Sequence, residues 1–143
     1  MNYLNRTPSN SVLKDIILLA VRVLIGFAML SHGFPKLQML LEGGDIKFFD
    51  FLGMGPAVSL TLTVFAEFVC SILLILGLFT RVALGFLLFT MIIAAFFIHG
   101  ADPFEKREMS LIYLSVYLLL MAFGAGKISV DYLIEKRKRA SDW

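Results

Sequence analysis

The sequence predicts an all-α integral membrane protein, a four-helix bundle of up-down topology with both termini in the cytoplasm. Three observations lead there. First, 59% of the 143 residues are hydrophobic and the mean hydropathy is +0.84, more apolar surface than a soluble domain of this size can bury. Second, four apolar stretches, at residues 16–33, 57–79, 82–98 and 109–126, approach or reach the roughly 17–25 residues that a helix needs to cross a bilayer. Third, the basic residues divide unequally between the two sides that such a topology creates. Arg6, Lys14, Arg81, Lys127, Lys136, Arg137, Lys138 and Arg139 fall on one side, and only Lys36, Lys47, Lys106 and Arg107 on the other, among six acids. The richer side is expected to be cytoplasmic. No linker or internal repeat divides the chain, so residues 1–143 are read as one four-span domain with a basic cytoplasmic tail at 132–143.

The first span carries Arg22 in its middle and is not followed by a small-residue cleavage site, so it is expected to be a retained helix instead of a signal peptide. Arg22, Gly26, Met29 and Gly33 recur at helical spacing and mark one face, whose small members would let another backbone approach closely. The loop at residues 34–56 holds two pieces, 37–41 and 46–52, that mix apolar and charged residues in the manner of interfacial segments or a lid, separated by Gly43-Gly44. The second span contains a single charge, Glu67, on a face with Cys70, Leu74, Gly77 and Arg81, extended outward by Thr63. A link of little more than Thr80-Arg81 then predicts a tight antiparallel hairpin into the third span, where Gly85, Phe89, Ile92, Phe96 and His99 align. Asp102-Pro103 reads as a turn. Glu105 and Glu108 suit the N-terminus of the fourth helix through its dipole, and Glu108, Ile112, Ser115, Leu119, Ala122 and Gly126 are the expected inward stripe of that helix.

A charge at membrane depth is expensive and calls for a partner or a purpose. For Arg22 and Glu67 three arrangements stand open: a direct bridge, Arg22 snorkelling to the inner headgroups, and Glu67 held as a protonated acid against a hydroxyl or carbonyl. A second polar set, His32, Lys36, His99 and Glu108, falls at the outer ends of the helices. It reads as a polar collar, or as a proton-exchanging site at the membrane surface suited to a lipid-soluble carrier such as a quinone. The candidate catalytic residues are therefore His99, Glu108, Glu67 and His32, and the candidate cofactor-binding residues Arg22, Glu67, His32, Lys36 and His99. The two histidines lack further ligands at motif spacing, so no metal site is expected. One cysteine, Cys70, excludes an intrachain disulfide and dithiol chemistry. A net charge of +2 without a basic face argues against nucleic acid. Lys136, Arg137, Lys138 and Arg139 are expected to meet anionic headgroups of the inner leaflet.

Three ordered motifs resemble those of the DoxX family. Arg22 and Gly26 with His32-Gly33-Phe34-Pro35-Lys36-Leu37 resemble its opening motif. Glu67 followed by Leu73-Leu74-Ile75-Leu76-Gly77-Leu78-Phe79-Thr80-Arg81 resembles its second, and Gly124-Ala125-Gly126-Lys127-Ile128-Ser129-Val130-Asp131 its third. His99 and Glu108 also fall where that pattern carries polar residues. One departure is Cys70-Ser71, which stands where the family often has glycines. The resemblance implies a four-helix protein of the bacterial inner membrane; some relatives are subunits of a thiosulfate:quinone oxidoreductase and others belong to thiol-stress complexes. The expected role is an accessory or scaffold subunit of a membrane redox complex, in contact with quinone and with another membrane or redox protein. The alternatives are a quinone-binding oxidoreductase subunit and, less well supported for want of an inverted repeat, a small homo-oligomeric transporter or channel. No nucleotide loop, haem-attachment motif or CxxC is present, so any electron carrier would come from a partner or from the lipid pool.

Overall fold

Outward-facing apolar side chains dominate the surface of the computed structural model, which describes residues 11–141. Leu24 is 72% exposed, Leu62 51%, Phe97 62% and Phe123 58%, one on each of four long helices. Contiguous apolar surface on this scale marks a molecule whose surroundings are themselves apolar or proteinaceous.

All regular structure among the described residues is helical: α1 (Ser11–Glu42), α2 (Pro56–Leu76), α3 (Thr80–Ile98), α4 (Phe104–Phe123) and α5 (Val130–Ser141). By length and composition α2 and α3 can each cross a membrane. Helix α1 packs on α2, α2 on α3, α3 on α4, and α4 returns to α1. Met29, Cys70, Leu74, Ala83, Leu84, Leu87, Met91, Tyr113, Tyr117 and Leu120 fill the space between them.

Glycine sets how closely α1 and α2 meet. A Cβ on Gly26 would lie 2.4 Å from Ile75 Cγ1, and one on Gly33 would lie 2.9 Å from the backbone carbon of Glu67. The stripe predicted on α1 (Arg22, Gly26, Met29, Gly33) is buried, as are Glu67, Cys70 and Leu74 on α2 and Gly77 just past its end. On α3 and α4 the other faces are buried. Ala83, Leu84, Leu87, Met91 and Ala95 point in from α3, and Tyr113, Tyr117 and Leu120 from α4. Gly85, Phe89, Ile92, Phe96, Glu108, Ile112, Ser115, Leu119 and Ala122, the expected inward stripes, are exposed. Arg81 is exposed as well. In an apolar surrounding, helices are apolar on both sides, so a small or polar residue does not reveal which side faces in.

Two boundaries also differ from expectation. Helix α1 runs through Pro35 to Glu42, so residues 37–41 are helix and not a separate interfacial piece; residues 45–50 form no helix. Helix α2 stops at Leu76 because Gly77 takes a left-handed backbone, φ 69°. The Leu78 N–H then reaches the Leu73 carbonyl at 2.9 Å and the Gly77 N–H the Leu74 carbonyl at 3.1 Å, a Schellman ending. The link is therefore residues 77–79, with Thr80 already in α3.

Residues 124–129 lace this end of the molecule together. Arg22 is 1% exposed. Its guanidinium donates to the Ala125 carbonyl and, at 2.9 Å, to that of Ile128. Asp15 accepts from the Lys127 N–H at 3.0 Å. Just beyond, at the start of α5, the Asp131 carboxylate accepts from the Phe79 and Thr80 N–H groups at 2.8 and 2.9 Å. It thus supplies partners to donors that the start of α3 leaves open. Asp131 also donates its own N–H to the Gly77 carbonyl at 2.8 Å. Arg22 and Glu67 form no bridge. Arg6, counted above toward the cytoplasmic side, lies outside the described residues.

Candidate functional site

Glu67 sits in a π-helical turn, Phe65–Val69, within α2. A π turn lodges an extra residue and is frequent at functional sites. Gly33 lets the α1 backbone press against this turn. Lys36, three residues further along α1, then extends to Glu67, its Nζ 2.5 Å from Oε2. The Lys36 side chain is 29% exposed and that of Glu67 5%, so the carboxylate is the buried partner and the ammonium sits at a threshold. The Ser71 hydroxyl donates to the Glu67 carbonyl at 2.7 Å, occupying a backbone group within the irregular turn.

A second π turn, Ile93–Ile98, closes α3, with the His99 N–H donating to Ala94 at 3.0 Å. It delivers His99 to the same end of the molecule. His99 Nδ1 lies 2.8 Å from Asp102 Oδ2, and Lys106 Nζ lies 4.0 Å from Oδ1 of the same carboxylate. The hydrogen bond from His99 is the main reason the Asp102 carboxyl is held below its ordinary range, with the charges of Lys106 and His99 adding to it. His32 meets the ring of Tyr113 edge-on, centroids 5.8 Å apart at 87°, and Tyr113 stacks at a tilt on Tyr117 at 5.9 Å. The Tyr117 hydroxyl is fully buried with no partner among the described residues.

His32, Lys36, Glu67, His99, Lys106 and Tyr113 border one cavity of about 570 Å³, within the size range of small-molecule sites. Ser59, Thr63, Thr90 and Ser110 add hydroxyls to its wall. Phe48, Phe49 and Phe51 cover it from the segment between α1 and α2. Phe51 is fixed by an edge contact with Phe89 at 6.0 Å and by its N–H donating to the Ser59 hydroxyl at 2.9 Å. Leu62, Phe65, Phe86 and Phe89 line the cavity and are also exposed on the outer surface. On this side the wall is formed by α2 and α3, where Phe65 and Phe86 meet edge to face at 5.2 Å.

Of the residues singled out in the sequence, His32, Lys36, Glu67 and His99 come together here. Arg22 does not; it is spent in the lacing at the far end. Glu108 is exposed and does not border the cavity, because the buried side of α4 is the one carrying Tyr113 and Tyr117. Tyr113 and Lys106 were missed. The signal for Tyr113 was present: Tyr113 and Tyr117, four residues apart, put two phenols on one face of the fourth span. Cys70 is buried and free. No group of three or more His, Cys, Asp or Glu side chains among the described residues has the geometry to hold a metal ion.

The DoxX family profile matches residues 17–100, which include α2, α3, most of α1 and the cavity's two charged partners. The chain belongs to the DoxX family. It is also 32% identical over 121 residues to an uncharacterised protein of Haemophilus influenzae, an alignment covering 78% of this chain and 85% of that protein. No solved structure matches. Within the family match lie Arg22, Gly33, Lys36, Glu67 and His99, so both polar centres draw on it; the closing segment, with Ala125, Ile128 and Asp131, lies beyond it.

Proposed function

We propose that this DoxX protein crosses the bacterial inner membrane four times as a helix bundle with both termini in the cytoplasm, and serves as an accessory subunit of a membrane redox complex that takes up a quinone from the lipid. The observation that carries this reading is the cavity, walled by apolar side chains of α2 and α3 that are also exposed on the outer surface, and polar at the Lys36–Glu67 pair. The donor set suits a quinone ring, whose two carbonyl oxygens accept hydrogen bonds. The Lys36 ammonium, the Tyr113 phenol and the imidazoles of His32 and His99 all have N–H or O–H groups to give. The aromatic side chains Phe48, Phe51, Phe65, Phe86 and Phe89 offer flat apolar contact for a ring and its tail. When bound, a quinone supplies two-electron, two-proton chemistry.

The chain's own part is to bind, orient and hold protons. Glu67 keeps a carboxylate at depth because Lys36 neutralises it. Lys36, more exposed than its partner, is placed to turn toward a bound carbonyl. The His99–Asp102 pair sits where the cavity meets the polar end, within reach of water for proton exchange. Electrons would come from a partner protein, consistent with an accessory role.

Photolabelling in native membranes tests the reading. A photoreactive quinone analogue is expected to mark peptides containing residues 29–36, 62–67 or 109–113, and excess unlabelled quinone is expected to suppress the marking. Labelling confined to other segments, or insensitive to competitor, would overturn it.

A further inference from the structure

Helix α5 has no buried residue along Val130–Ser141, although it is anchored at its start by Asp131. An isolated polar helix of 12 residues is marginal in water, so a helix standing free on a protein needs something else to hold it. Its sequence is two-sided. Val130, Leu133, Ile134 and Ala140 share one face, with Leu133 57% and Ile134 40% exposed. Glu135, Lys136, Lys138 and Arg139 occupy the other. Arg137 falls on the apolar side, where a long stem can lie along hydrocarbon while its head reaches out. Among the described residues the only ion pair within α5 is Arg139 with Glu135, and Asp131 is committed to the start of α3. The helix therefore presents surplus positive charge beside an uncovered apolar stripe.

We infer that α5 is an in-plane membrane-surface helix, with Leu133 and Ile134 seated at the acyl boundary and Lys136, Arg137 and Lys138 against anionic phospholipid headgroups. The anchor at Asp131 places its start at the α2–α3 turn, the end where Arg22 is laced and where the topology proposed above puts the cytoplasmic leaflet. A helix of this composition binds by buried apolar area together with attraction to anionic lipid. Each basic residue near such a surface contributes about 1 kcal/mol, so preference for anionic over zwitterionic lipid is the signature. This inference rests on the membrane reading, and its test separates the two.

The full-length protein is reconstituted in nanodiscs of phosphatidylcholine with phosphatidylglycerol, with bromine on the acyl chains of one lipid or the other. Trp143, the only tryptophan, lies two residues beyond α5 and is the native reporter. Quenching by the brominated anionic lipid is expected to exceed that by the brominated zwitterionic lipid at least about twofold. Replacing Lys136, Arg137, Lys138 and Arg139 by Gln is expected to remove the preference. Leu133→Ser with Ile134→Ser is expected to lower quenching by both lipids and restore access of aqueous acrylamide. Equal quenching by the two lipids, or a Trp143 open to acrylamide and untouched by bromine, would overturn the proposal and leave the basic side of α5 to an acidic protein partner. Resistance to carbonate extraction reads the membrane location separately. A protein retained by carbonate with an unquenched Trp143 defeats the α5 proposal alone; one released by carbonate defeats the membrane reading itself.

Discussion

The two ends of this molecule each bury a charge, and they do so in opposite ways. At one end Arg22 is surrounded by backbone: two carbonyl oxygens accept from it, and residues 124–131 tie it to the α2–α3 turn. At the other end Glu67 pairs with a single, partly exposed ammonium at the wall of a cavity. A guanidinium held by two carbonyls rigidifies; a carboxylate answered by one partly exposed lysine leaves room for a third party. The difference teaches that the same cost, a charge at depth, holds the fold at one end and equips a site at the other.

The largest effect should come from Arg22. Arg22→Met removes the charged donor from two carbonyls, and hydrogen bonds to charged groups contribute about 1.5–3 kcal/mol each. A loss of roughly 3–5 kcal/mol is expected, read as a collapse of the thermal transition in detergent. Arg22→Lys, which offers a point charge in place of a fork, should recover only part of it. If both variants melt like the parent, the lacing is not a structural centre and the comparison fails.

Next comes Gly33→Leu. The added atoms meet the Glu67 backbone, where even a Cβ would stand 2.9 Å away. Overpacking of this kind costs about 1–3 kcal/mol. The variant should also reduce quinone-analogue labelling, because it shifts the turn that carries Glu67. Labelling unchanged alongside a lowered melting temperature would detach the site from the α1–α2 contact.

Glu67→Gln sharpens the contrast further. The amide keeps an acceptor for Lys36, so stability should change by about 1 kcal/mol or less, while the proposed proton-linked role is lost. Glu67→Ala leaves Lys36 unanswered and should cost more. Loss of function in the Gln variant with an intact melt makes the carboxyl chemical; a silent Gln variant beside an unfolded Ala variant makes Glu67 structural, like Arg22.

The smallest effect is acid titration of the turn between α3 and α4. The folded protein holds the Asp102 carboxyl below its ordinary value, chiefly through His99. The contribution is therefore fully present above the ordinary carboxylate pKa and is lost as pH falls through the depressed value. Carboxyl-carbon NMR should show Asp102 titrating below the ordinary aspartate range. His99→Ala should raise it toward that range.

Which parts were legible in the sequence follows from the same physics. The faces of α1 and α2 were readable because a charge and glycines at helical spacing cannot face acyl chains and also pack closely. The faces of α3 and α4 were not, because Phe89 or Leu119 is as content outside as inside when the surroundings are apolar. The partners of Arg22 escaped notice because they are carbonyl groups, which every residue carries. His32, Lys36, His99 and Glu108 were read as one set at the outer helix ends, of which the first three border the cavity and Glu108 does not, and Glu67 was read with Arg22 as a separate set at membrane depth. The π turn and the length of a lysine closed that gap, and no residue in Phe65–Val69 announces such a turn.

That turn has a consequence for how the chain tolerates length changes. Removing one residue between positions 65 and 69 would let α2 wind as an uninterrupted α-helix. The Pro56 side would keep its orientation relative to Leu74 and Gly77, because the π turn already absorbs the about 100° that one residue adds. Ser59 and Thr63 would stay in the cavity wall, with the tether from Ser59 to Phe51 in place. A protein one residue shorter there would keep both flanks of α2 and lose only the bulge that presents Glu67 to Lys36.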